Sequence, residues 1–151
     1  MSERVIRRVV ITGVPTATYQ RHLTHIEELV HELRLMDIGE ASAPEPAPVR
    51  VRRLMEEVLE RYKDARDASR QQVEAAGAAG DERFDLVIDL PYDEFSGTPR
   101  LLEIFEEADE VCRGGGLLTL AAPPDVVAMR RWIVPHIAAQ LGGAAPLPYP
   151  E

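Results

Sequence analysis

The sequence predicts an α/β fold, a duplicated β-α-β-α unit forming one layered domain with a ferredoxin-like or a more open sheet. Two apolar runs carry this prediction. Val10-Ile11-Thr12-Gly13-Val14-Pro15 and Leu86-Val87-Ile88-Asp89-Leu90-Pro91 both end in proline and lead through a polar turn into an amphipathic helical pattern. The third observation is a constant offset, by which Pro46 to Arg52-Arg53 falls on Pro124 to Arg130-Arg131. The half-repeats cover about residues 4–79 and 81–143 of a single domain spanning 1–151. The duplication speaks to architecture and not to chemistry.

Taken in order, residues 4–14 form the first expected strand, because Val, Ile and Thr suit a pleated, half-buried surface. Thr16 or Thr18 is placed to cap a helix in which Tyr19, Leu23, Ile26, Val30 and Leu33 recur on one face. Residues 34–38 are expected as a short second strand. Residues 40–48, with three prolines, form an exposed flexible linker. The longest helical pattern follows, over residues 49–76. Val51, Met55, Val58, Tyr62, Ala65, Ser69, Gln72 and Ala76 alternate at four and three residues. A helix of that length is a rod of roughly 40 Å, longer than the neighbouring sheet requires. Its C-terminal half is expected to project or to pair with another chain.

In the second half, residues 83–90 are the third strand, and Thr98-Pro99 opens a helix whose core face is Leu101, Phe105, Ala108 and Cys112. Gly114-Gly115-Gly116 stops it. Residues 117–121 are the expected fourth strand. Asp125 caps a last helix with Val126, Met129, Ile133, Ile137 and Leu141 inward and Pro135 in its interior. A proline-rich tail covers residues 142–151.

Composition narrows the function classes. Seventeen basic and 26 acidic residues give a net charge of -9, which disfavours nucleic acid and favours a basic partner. One cysteine, Cys112, excludes an intrachain disulfide and a cysteine-based zinc site. With no signal-like apolar start and no apolar run near the roughly 18 residues of a membrane span, a cytoplasmic protein without membrane contact is expected.

Each candidate for chemistry reads more simply as structure. The glycine triplet follows a helix and precedes a strand, the reverse of a phosphate loop. Val10-Ile11-Thr12-Gly13 lacks the further glycines of a dinucleotide site. His22, His25, Glu28 and Glu32 share one side of the first helix, which suggests a solvated polar face and no metal site. Cys112 sits on an apolar stripe as a structural thiol. No catalytic residue and no cofactor is implied. Glu103, Glu106, Glu107 and Glu110, with Asp109 among them and Asp93 and Glu94 nearby, form an acidic band suited to a basic partner. Trp132 is a candidate partner anchor. Val51, Met55, Val58 and Tyr62 are the candidate homodimer seam.

Three stretches then point to a family. They are Leu102-Glu103-Ile104-Phe105-Glu106-Glu107-Ala108-Asp109-Glu110-Val111-Cys112-Arg113, Leu117-Leu118-Thr119-Leu120-Ala121 and Pro124-Asp125-Val126-Val127-Ala128-Met129-Arg130-Arg131-Trp132. Together they resemble small actinobacterial regulatory proteins found beside, or fused to, anti-sigma-type histidine-kinase-like ATPases and serine phosphatases. The ATPase itself needs an asparagine-bearing helix, and this chain has no asparagine. The resemblance therefore implies a non-enzymatic regulatory or interaction module in bacterial stress or transcription signalling. The alternative is a small-molecule-binding sensor or enzyme with a cleft between the halves, since clefts at such junctions host ligands.

Overall fold

The two proline-terminated apolar runs become the two strands of an antiparallel sheet, β1 (Ile6–Pro15) and β2 (Arg83–Pro91). The computed structural model describes residues 5–39, 47–92, 100–114 and 118–150. Its helices are α1 (Thr16–Gly39), α2 (Ala47–Arg61), α3 (Lys63–Ala78), α4 (Arg100–Arg113) and α5 (Pro124–Leu141). Strand alternation sends Val9, Ile11, Phe84, Leu86, Ile88 and Leu90 to one buried face. Between Ile11 and Val14 the register slips by a bulge, and Gly13 takes φ +72 there, a conformation that costs a side-chain-bearing residue. The slip returns Val14 to the buried face.

A two-stranded sheet has two open edges, and each is closed by a glutamine side chain. Val10 and Val87 are register partners at the middle of the sheet. On one edge, Val10 N–H donates to Gln140 Oε1 (3.0 Å) and Gln140 Nε2 donates to Val10 O (2.8 Å). On the other, Val87 N–H donates to Gln72 Oε1 (2.8 Å) and Gln72 Nε2 donates to Val87 O (2.6 Å). A side-chain amide carries the same donor and acceptor as a peptide, so each glutamine substitutes for one unit of a third strand. Gln72 comes from α3 and Gln140 from α5. The chain end helps on the β1 side, where Tyr149 N–H donates to Thr12 O at 2.9 Å.

The interior forms two clusters. One joins the buried sheet face to α3 and α5 through Val73, Met129, Ile133, Ile137 and Leu141. The other joins the middle of α1 to α2 and α4 through Ile26, Leu29, Met55, Val58, Ile104 and Phe105. Tyr62 packs against both.

The structure corrects the expected architecture in three places. Residues 34–38 continue α1 as helix and form no strand. Residues 118–121 are irregular, with Leu118 and Leu120 almost fully exposed, and Leu117 lies outside the described residues. The described sheet therefore has two strands, so the four-stranded duplicated unit is not reproduced. The expected 49–76 rod is two helices that meet at Tyr62, whose φ of -109 and ψ of 20 leave the helical range. The apolar stripe faces inward as expected, with Met55, Val58, Ala65, Ser69 and Ala76 all buried. The turn at Tyr62 directs α2 onto α4 and α3 onto β2, so α3 packs on the sheet and does not project.

The proposed dimer seam is used inside one chain. Met55 and Val58 are buried against α4, and Tyr62 is half-buried. Val51 lies on α2 with its side chain outside the described residues. A second copy could reach Met55 and Val58 only by opening the core. Of the linker, residues 40–46 lie outside the described residues, and Ala47 and Pro48 already belong to α2. Among the described residues no helix is long and apolar enough to cross a membrane.

The edge glutamines give a direct test. Glutamate has the shape of glutamine but, ionised, only accepts hydrogen bonds. Gln72→Glu and Gln140→Glu each set a carboxylate against a strand carbonyl, at an expected cost of about 1–3 kcal/mol in urea denaturation at pH 7. The difference from wild type should shrink near pH 4, where the protonated acid donates again. A difference near zero at pH 7 would show that the caps contribute nothing.

Candidate functional site

The helical pattern of α1 has a second stripe. His22, His25, Leu29 and Glu32 recur at three and four residues, beside the apolar Tyr19, Leu23 and Ile26. Because α1 is covered on two sides, this stripe is enclosed as well. His25 is 5% exposed and His22 is partly buried. From α5, Arg130 enters the same space and is 2% exposed.

Arg130 organises the polar groups around it. Its Nε donates to His22 Nδ1 at 2.9 Å, and its Nη2 donates to His25 Nδ1 at 3.0 Å. A guanidinium only donates, so both imidazoles accept at Nδ1 and carry their proton on Nε2. The His25 Nε2–H donates to Leu120 O at 2.8 Å. From α4, Asp109 places Oδ2 4.0 Å from Arg130 Nη1 and accepts the Ala122 N–H at 3.1 Å. The Phe105 ring lies 4.8 Å from the guanidinium carbon, in cation–π range. Arg130 Nη1 has no hydrogen-bond partner among the described residues.

These surroundings determine the charges. Burial pulls Arg130 down to about 10, against the pull of Asp109, so it stays protonated at neutral pH. Burial, then the Arg130 cation and His25, hold His22 well below the usual imidazole value. Burial also lowers His25, although its bond to Leu120 O opposes the shift. At neutral pH Arg130 is a cation and both imidazoles are neutral.

Beside this network lies a cavity of about 130 Å³. It occupies the junction of the two core clusters, with walls from α1, α2, α3, β2, α4 and α5. Its lining is chiefly aliphatic and aromatic, including Leu86, Ile88, Phe105, Met129, Ile133 and Ile137. Arg130 and His22 form a polar part of the wall. Leu59, Tyr62, Arg66 and Leu101 also line it and are only partly buried, which places the accessible rim at the α2–α3 turn and the start of α4.

The network also holds a loop. Besides the bonds at Leu120 and Ala122, Glu32 accepts the N–H groups of Leu118 and Thr119 and the Thr119 hydroxyl. Burial opposes ionisation of Glu32, but these bonds keep its carboxyl below the usual range. The pinned loop presents Leu118 and Leu120 outward, at 92% and 81% exposure.

The sequence-predicted site residues are distributed differently from the expectation. Glu103, Glu106 and Glu110 are on the outer side of α4 and Glu107 is partly buried. Glu106 pairs with Arg131 at 3.1 Å and Glu110 with Arg113 at 2.8 Å, so local arginines partly neutralise the band. Asp109 does not belong to it, because it is 3% exposed within the Arg130 network. Asp93 and Glu94 lie outside the described residues. Trp132 stacks on His136 at 3.7 Å and meets the Tyr149 ring edge-on at 5.0 Å. In this chain it secures the tail. The buried Cys112 thiol is pushed up to about 11 by burial and by Asp109 and Glu32, far from a reactive thiolate.

The sequence pattern sets His22 and His25 on an outer face and Asp109 in the acidic band, and gives no sign that Arg130 is interior. The expected solvated histidine face is corrected to an interior one. Comparison with family models, with curated proteins and with solved structures returns no match to this chain.

The depressed histidines set a pH dependence. Unfolded histidine takes up a proton near 6.5, while the folded pair resists until lower pH. The unfolded state then binds more protons, so stability is full above about 6.5 and falls as pH drops. The melting temperature should therefore decline between pH 7 and pH 5, before ordinary carboxylates titrate. His22→Gln, which retains an acceptor for Arg130, should flatten that decline. A wild-type profile level from pH 7 to pH 5 would contradict the assignment.

Proposed function

We propose that this protein is a non-enzymatic, ligand-responsive regulatory module. A small, largely apolar molecule occupies the cavity between the two core clusters, and the surface around residues 118–122 carries the response. The observation behind this reading is the cavity with a buried cation in its wall. The pocket of about 130 Å³ leaves apolar side chains of both clusters uncovered. A ligand that covers them gains the free energy of removing that apolar surface from water. Apolar pockets with a few convergent polar groups are the usual form of small-molecule sites.

The route from cavity to surface is short. Arg130 contacts the histidines, His25 and Asp109 hold the backbone at Leu120 and Ala122, and Leu118 and Leu120 stand outward on the same loop. A ligand that shifts Arg130 changes what holds the loop. The exposed leucines, with the outer carboxylates of α4, suit a partner that is both apolar and basic. A module of this kind accords with the signalling role that the family resemblance implies.

Occupancy is testable without knowing the natural ligand. Ring-sized apolar probes should raise the wild-type melting temperature in a concentration-dependent way, as ligand at about 100 Kd adds roughly 2.7 kcal/mol. Ala65 lines the cavity. Ala65→Leu should fill it, hold or raise the melting temperature of the free protein, and abolish the response to probes. Probe responses identical in wild type and Ala65→Leu would place binding elsewhere and defeat the proposal.

A further inference from the structure

We propose that the cavity takes a small apolar carboxylic acid, its carboxylate bound to Arg130 and its hydrocarbon among the aliphatic and aromatic walls. This assignment rests on the reading of the cavity as a ligand site and names the chemistry of its occupant.

The polar part of the wall formed by Arg130 and His22 is small and consists of donors. Arg130 lines the cavity and is 2% exposed, and its Nη1, covered and without a hydrogen-bond partner among the described residues, comes within reach when the side chain turns toward the cavity. Its other two nitrogens are committed to His22 and His25. Its nearest carboxylate, Asp109, stands 4.0 Å from Nη1, beyond hydrogen-bond reach, and is engaged by the Ala122 N–H. His22 also lines the cavity, and because its Nδ1 accepts from Arg130, the atom it has left is an Nε2–H donor. A buried cation and a second donor call for a group that only accepts. An ionised carboxylate is such a group, and its bonds to a guanidinium are charge-assisted and about twice as strong as neutral ones.

Size sets the rest of the molecule. A comparable apolar void of about 150 Å³ holds a benzene ring, so about 130 Å³ suits one ring or a short branched chain. The rest of the lining is mainly apolar, which selects against a second charge on the ligand.

The test compares benzoate with benzamide, equal in shape and different in charge, by calorimetric titration of the full chain at pH 7.5. Benzoate should bind at least about tenfold more tightly than benzamide. Asp109→Asn keeps an acceptor for the Ala122 N–H and removes the competing carboxylate. That change should tighten benzoate at least about threefold and leave benzamide unchanged. Equal affinity for the two probes would overturn the carboxylate assignment while the cavity reading stands. An acid preference unaltered by Asp109→Asn would move the carboxylate to the rim, beside Arg66, and overturn the role given to Arg130. Binding of neither probe would overturn the ligand class and the cavity reading together. The wild-type comparison needs no variant, so it decides even where Asp109→Asn fails to fold.

Discussion

A guanidinium removed from water must be compensated where it lies, and much of this molecule is arranged around that requirement. Arg130 is buried at the meeting of α1, α4 and α5. Arg130 comes from α5, and the other two helices supply the compensation: two imidazoles from α1, and from α4 an aromatic face and a carboxylate 4.0 Å away. Removing one partner from such a group commonly costs 3–5 kcal/mol. A well-packed apolar residue would serve stability as well or better, so keeping the charge points to use. The same groups fix the backbone of the 118–122 loop, so the interior charge and the outer surface are parts of one hydrogen-bonded unit.

The sheet imposes a second constraint. Two strands alone are marginal in water. Here one face is covered by the core and both edges are closed by Gln72 and Gln140 on paired Val10 and Val87. Closing the edges this way brings α3 and α5 alongside the strands. The apolar space between that layer and the α1–α2–α4 cluster becomes the cavity. The turn at Tyr62 serves both sides, letting one continuous apolar stripe pack first on α4 and then on β2.

Where a pattern ran long enough to show its period, the sequence was a sound guide. The inner faces of α4 and α5, the positions of β1 and β2 and the stop after Arg113 all match the expectation. The two short strands did not: at residues 34–38 a run with Leu, Met and Ile suits the end of a helix as well as a strand, and at residues 118–121 the Leu118 and Thr119 N–H groups bond to Glu32 and not to a neighbouring strand. The turn at Tyr62 left no mark in the apolar stripe, which passes through it unbroken. The site was hidden for a different reason. His22, His25, Asp109 and Arg130 are residue types that normally face solvent, and only enclosure from two sides makes them interior. The three–four spacing of His22, His25, Leu29 and Glu32 was the one local signal.

The central claim is that Arg130 is the polar anchor of an internal ligand site. Its guanidinium and the surrounding side chains can be followed by nuclear magnetic resonance in the protein saturated with benzoate at pH 7.5. The account predicts through-space contacts from the benzoate ring to Phe105, Leu86 and Ile133, together with a shift of the Arg130 Nη resonances. An unmoved Arg130, with the ring in contact only with exposed residues such as Leu118 and Leu120, would contradict it.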